Sequence, residues 1–168
     1  MTDQTQATIT FLDGDQLRLM LIQGRRALET KVDAINALNV FPVPDGDTGT
    51  NMLLTMKALE EAAAMAPDNN ISHVVTTIAR GALLGARGNS GVILAGFFQG
   101  LAQGFSDKKQ INSTDLAIAL AQASKAAYKA MGNNPVEGTM LTVIREISMA
   151  AQERTATNVD LLELWGII

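Results

Sequence analysis

The sequence predicts an all-α fold, and three observations carry that reading. Alanine, which loses no side-chain entropy when ordered in a helix, occurs 24 times in 168 residues. Apolar residues recur at three- and four-residue steps along most of the chain, the spacing of helix faces rather than of half-buried strands. The stretches are separated by polar turns containing Gly or Pro, and no two runs read as a hairpin. With 47% hydrophobic and 18% charged residues, the chain can bury a core and is too apolar to stay disordered. Its length fits one domain, residues 1–168.

Asp13 or Asp15 caps a first helix expected to run to about Leu38, with Leu17, Met20, Leu21, Leu28, Val32 and Ile35 on one stripe. NVFPVPDGDTGT, Asn39 to Thr50, is a loop, because Pro42 and Pro44 forbid regular helix there. A second helix is expected from Asn51 to about Ala66, stopped by Pro67, and a third from Ile71 to Ala86. RGNSG punctuates the chain before a Gly-containing helix from Gly91 to Phe105. After the loop SDKKQINS, Asn112 or Ser113 caps an Ala-rich helix to Met131. GNNPVEG leads into a helix from Thr139 to Arg154, and Asn158 caps a last short one. That makes about seven helices. The terminal LLELWGII has no C-cap and reads as a helix cut short or as a short natural terminus.

Composition removes several functions. The net charge is −4 with no Lys/Arg run longer than two, which argues against nucleic acid as a partner. With no cysteine and one histidine, disulfides, thiolate nucleophiles, zinc–sulfur sites and His clusters are excluded. Apolar runs fall short of the roughly 20 residues of a membrane span, and the acidic N-terminus is no signal peptide. The expectation is a soluble cytoplasmic domain.

Three loops carry the chemistry. In the first, Asp45 and Asp47 stand two residues apart in a Pro-stiffened, Gly-rich turn, a pattern able to converge oxygens on a hard cation such as Mg²⁺. The helix that follows offers N–H groups and a positive dipole end to a phosphate. An ordinary turn-and-cap cluster is an equal reading of the same residues. Competing motifs fail: an EF-hand counted from Asp45 would need Gly at Thr50 and Glu at Met56, and neither GxxxxGK[ST] nor GxGxxG occurs. Asp47-Thr48-Gly49 matches an aspartic-protease triplet, but the helical flanks are wrong for it.

The second loop, GALLGARGNSG from Gly81 to Gly91, suits either close backbone approach to a phosphate or tight helix–helix packing. Arg80 and Arg87 can serve phosphate, the carboxylates or a structural ion pair. The third, Asn134-Pro-Val-Glu-Gly-Thr139-Met140, is a plain turn or a helix start that meets a flat apolar base. His73 has no evident partner and reads as a cap or surface residue.

Together, NALNVFPVPDGDTGTNM, ARGALLGARGNSGVIL and PVEGTML resemble the nucleotide-binding domain of the dihydroxyacetone kinase superfamily. The Pro-flanked DGDTGTNM looks most like the N-terminal domain of bacterial fatty acid kinase A-type proteins. The resemblance implies an antiparallel helical barrel, typically of eight helices, with the nucleotide at one rim. It implies Asp45 and Asp47 as ligands of two Mg²⁺ ions bridging ATP or ADP phosphates, with Asn39 as a third metal ligand at a spacing that differs by one. Asp45, Asp47 and Thr48 would form the catalytic loop. Glycerone-kinase members carry histidine where this chain has Thr48, which points away from dihydroxyacetone as acceptor. Gly88, Asn89, Ser90 and Gly91 match the phosphate-binding turn, Asn51 the helix start beneath the nucleotide, and Thr139 and Met140 the adenine side. The implied activity is phosphorylation of a fatty acid carboxylate brought by a separate binding protein. A dihydroxyacetone-kinase-type subunit and a non-catalytic nucleotide sensor are the alternatives. The chain would then be one part of a longer kinase, working with further domains or a fatty-acid-binding partner, or pairing as a homodimer.

Overall fold

A computed structural model describes residues 9–40, 44–132, 135–155 and 160–161. Seven helices occur among these residues: α1 (Gly14–Glu29), α2 (Val32–Ala37), α3 (Thr48–Ala64), α4 (Ile71–Gly85), α5 (Gly88–Gly104), α6 (Ser113–Ala130) and α7 (Met140–Thr155). The only extended pairing among the described residues is a single antiparallel bridge between Leu12 and Ile111.

Local capping chemistry sets several starts. Asp13 accepts from the Gln16 N–H while the Gln16 side chain accepts from the Asp13 N–H, a closed capping box on α1. Asn112 and Asp115 do the same for α6, and the Asn70 side chain caps α4. The helix expected to run unbroken to Leu38 is divided at Thr30–Lys31. There the Thr30 hydroxyl donates to the Ala27 carbonyl at 2.8 Å and Lys31 N–H donates to Leu28 O at 2.8 Å. A side chain competing for a helical carbonyl and a tightened last turn end α1, and α2 sets off separately.

From α3 onward each helix packs against the next, and the packing is antiparallel. Gly81 faces Ala62 and Gly85 faces Ala58, so residue numbers rise on α4 as they fall on α3. On α5, Gly96, Gly100 and Gly104 lie against Ala126–Ala127, Ala123 and Ala119 of α6. Side chains added at Gly100 or Gly104 would sit 2.5 Å from the Gln122 carbonyl or the Ala119 Cα. Small residues thus let whole helix backbones touch, which is what the alanine-rich, aromatic-poor composition is used for.

The core runs through this stack. Leu59, Ile71, Val74, Val75, Ile78, Phe105, Ile111 and Leu141 are almost wholly buried, each contributing about 1.5–3 kcal/mol by removal of its apolar surface from water. Leu161 is buried in the same core, and its N–H donates to Ile9 O at 3.1 Å, bringing the segment after α7 back to the start of the chain. The expected helix capped by Asn158 falls almost entirely outside the described residues. The architecture is an all-α helical barrel of up-and-down helices. Alternation of direction puts the α2–α3, α4–α5 and α6–α7 connections at one rim. The start of α1 and the α3–α4 and α5–α6 connections lie at the other, joined by bonds such as Gly14 N–H to Asn69 O and Ile71 N–H to Lys109 O. No helix among the described residues is long and apolar enough to cross a membrane.

Candidate functional site

The three motif loops are those of the first rim. The carboxylate loop leaves α2 at Asn39, whose Nδ2 donates to Asp45 Oδ1 at 2.6 Å. Asp45 is exposed, Gly46 turns the chain at φ +67°, and Asp47 stands half-buried at the N-cap position of α3. Phe41, Pro42 and Val43 lie outside the described residues. The Asp47 side chain makes no capping bond. That task falls to Asn36, which the sequence reading did not single out: its Oδ1 accepts from Gly49 N–H at 2.8 Å and Thr50 N–H at 3.2 Å. Two consequences correct the expectations. Helix α3 starts at Thr48, not Asn51, and its N-terminus is closed, since Asn36 takes N–H groups that the sequence pattern offers to a phosphate.

The second loop is the open one. Helix α5 starts at Gly88, three residues earlier than expected, and no side chain caps it. The N–H groups of Gly88, Asn89 and Ser90 have no partner among the described residues. Arg87 precedes them with its head exposed, and neither Arg87 nor Arg80 is ion-paired among the described residues. An uncapped helix start with a cation beside it favours an anion.

Direct contacts lock the two loops together. Ser90 is buried and its hydroxyl reaches the Thr48 carbonyl at 3.5 Å. The Asn51 side chain lies close against Gly88, where an added Cβ would come within 2.6 Å of Asn51 Nδ2. Buried Thr55 accepts from Arg87 N–H at 3.2 Å and donates to Asn51 O at 2.8 Å, with Gly91 packed on its hydroxyl. Thr48 and Asn51 therefore border Ser90 and Gly88, and Asp47 directly precedes Thr48 in the chain.

The third loop is attached less directly. Thr139 caps α7, accepting from Leu141 N–H at 3.2 Å and donating to Val136 O at 2.7 Å. Met140 packs against a small cluster of Ile93, Ala127, Leu141 and Ile144, so α5 is its link to the other two loops. Asn134 lies outside the described residues. A clamp absent from the sequence reading fixes this loop: Glu137 accepts from Tyr128 OH and Thr142 Oγ1, both at 2.6 Å, and pairs with Arg145 at 2.9 Å. The Thr142 and Tyr128 hydrogen bonds hold the Glu137 carboxyl below its ordinary range. Burial, then the Glu137 contact, pushes the Tyr128 phenol up.

The donor set fits a hard cation, being made of carboxylate and amide oxygens. No group of three or more His, Cys, Asp or Glu gathers among the described residues. Any ion at Asp45 and Asp47 would thus complete its shell with the Asn39 amide oxygen, water and phosphate, a mix that suits Mg²⁺. Two shallow clefts of about 380 and 580 Å³, around Asp68–Asn70 with Lys109 and around Arg25 with Glu60, lie away from this rim. Both are lined by surface side chains of mixed charge, several of them paired. Arg25 pairs with Glu60 and Glu29, and His73, expected to stand alone, holds Asp68 at 3.0 Å.

The sequence profile of the DAK2 domain matches residues 42–166. Relatives in Staphylococcus aureus strains bovine RF122 / ET3-1, USA300 and COL, each called an uncharacterized protein, are 42% identical over 160 residues, 95% of this chain. The chain spans 29% of the length of those relatives. With that profile running through all three loops of the rim, the chain belongs to the DAK2 domain family.

Proposed function

We propose that this domain binds a magnesium nucleotide at the rim and serves as the nucleotide-binding part of an ATP-dependent phosphotransferase. The observation that carries the reading is the pairing of an uncapped α5 start with an adjacent carboxylate loop whose Asp47 makes no capping bond. In this reading the Gly88, Asn89 and Ser90 N–H groups hold the phosphates, with Arg87 beside them. Asp45, Asp47 and Asn39 hold the metal, and Thr139 and Met140 border the base. Bound magnesium supplies charge neutralisation at the phosphoryl oxygens.

The acceptor we favour is a fatty acid carboxylate. Its oxygen attacks the γ-phosphorus as the bond to the β–γ bridging oxygen breaks, giving an acyl phosphate and ADP. A carboxylate is already anionic at neutral pH, so the reaction needs no general base, and Thr48 stands where glycerone kinases use histidine. Transfer requires the acceptor to be delivered by a fatty-acid-binding protein or by further parts of a longer chain. Family membership itself keeps a dihydroxyacetone-type acceptor as the second reading.

Calorimetric titration of ADP and ATP, with Mg²⁺ and with EDTA, tests the site. Mg-dependent micromolar binding, about −8 kcal/mol, is expected, and it should vanish in Asp45→Ala and in Asp47→Ala while both variants stay folded. Binding that survives both changes refutes the metal assignment. Phosphate transfer to a protein-bound fatty acid, compared with dihydroxyacetone, separates the acceptors.

A further inference from the structure

Asn36 opens the first of the three motifs but received no role in the sequence reading, yet it holds both ends of the carboxylate loop. On the incoming side its carbonyl accepts from Asn39 N–H at 3.1 Å. On the outgoing side its Oδ1 takes the Gly49 and Thr50 N–H groups, and its Nδ2 donates to Thr50 Oγ1 at 3.0 Å. Gly49 is small enough to allow this: a Cβ there would lie 2.6 Å from Val32 O and 3.1 Å from Asn36 Oδ1.

The consequence falls on Asp47. An aspartate at an N-cap normally accepts from the N–H groups of the second and third helical residues. Here those are Gly49 and Thr50, and Asn36 already occupies them, so the Asp47 side chain has no capping bond to make. We infer that Asn36 is a positioning residue that caps α3 in place of Asp47 and so leaves the Asp47 carboxylate available to a cation. The inference rests on the Mg-nucleotide reading for its functional meaning, but the exchange of caps is testable without it. When Asn36 is removed, Asp47 turns inward to cap α3 itself, and the loop gives up a metal ligand rather than its fold.

Two measurements decide it. In a Mg²⁺ titration of ADP binding, Asn36→Ala should raise the Mg²⁺ half-saturation point at least tenfold, while Asn36→Asp, which offers the same two N–H groups an acceptor, returns it to within threefold. A merely structural role would lower ADP binding without shifting the Mg²⁺ midpoint. In amide hydrogen exchange, Gly49 and Thr50 should stay protected in Asn36→Ala and lose protection in Asn36→Ala/Asp47→Ala, because only the single variant has a substitute cap. Equal protection in the single and double variants overturns the inference by itself. An unchanged Mg²⁺ midpoint in Asn36→Ala overturns it as well. A wild-type protein with no Mg-dependent ADP binding instead overturns the nucleotide reading, and the exchange comparison still decides the cap.

Discussion

Replacing Gly88 with alanine loads two separate costs onto the residue where the first two loops meet. Gly88 sits at φ +58°, a conformation that costs an L-residue about 1–2 kcal/mol. The new Cβ would also stand 2.6 Å from Asn51 Nδ2 and 3.3 Å from Asn51 Cγ. Because the obstacle is the end of a side chain, Asn51 can rotate away, at the low end of overpacking costs, about 1 kcal/mol. The sum is about 2–3 kcal/mol, or a fall in Tm of about 4–12 °C for a chain of this size. Gly132 isolates the first cost, since it has φ +63° and a Cβ added there would meet nothing within 4 Å. Gly132→Ala should therefore lose about 1–2 kcal/mol only. The variants should part further in ADP titration. Gly88→Ala dislodges Asn51 and re-aims the first N–H groups of α5, so Mg-ADP affinity should drop at least tenfold, about 1.4 kcal/mol, whereas Gly132→Ala should bind nearly as the wild type does. Equal losses in melting and in binding for the two variants would refute both the contact and the phosphate role given to α5.

Two further changes test the packing and the clamp. Gly100→Ala puts a methyl 2.5 Å from the Gln122 carbonyl and 2.6 Å from the Ala123 nitrogen, both backbone atoms; overpacking of up to about 3 kcal/mol outweighs a helix-propensity gain of about 1 kcal/mol, so thermal denaturation should show a lower Tm. Gly24→Ala, in open space within α1, should instead raise Tm through that same gain. The Glu137 carboxyl titrates below its unfolded value, so its contribution is present above the ordinary carboxylate range and is lost as pH falls through the depressed folded value. Urea unfolding of Glu137→Gln should accordingly show less loss of stability on acidification than the wild type, and an unchanged acid limb would rule out the clamp.

The helices were most legible where their boundaries are decided locally. Asn70 and Asn112 cap the helices that begin one residue later, so α4 and α6 were readable to within a residue. The break at Thr30 was not, because an apolar stripe continues through Val32 and Ile35 and says nothing about a hydroxyl taking the Ala27 carbonyl. The start of α3 was misplaced because its cap comes from Asn36, beyond the loop rather than next to the helix. For the same reason the sequence offered two helix starts for phosphate and had no means to close one of them. The glycines of the second loop divide along lines visible only in space. Gly81 and Gly85 serve packing on α3, whereas Gly88 and Gly91 shape the start of α5. The Tyr128–Glu137–Arg145 clamp is legible in retrospect as a Tyr and an Arg on either side of a turn bearing Glu, a pattern too common to signal itself.

The backbone contact of α5 with α6 has a mechanical consequence. Where Gly96, Gly100 and Gly104 rest on alanine Cα and carbonyl atoms, there is no layer of long side chains to deform, and neither helix can slide or tilt without collision. The pair behaves as one stiff strut whose end carries the Gly88–Ser90 amides. If a nucleotide binds at this rim as proposed, the phosphate-facing amides are already fixed in place by the α5–α6 contact, and no reordering of that helix start is needed to receive it.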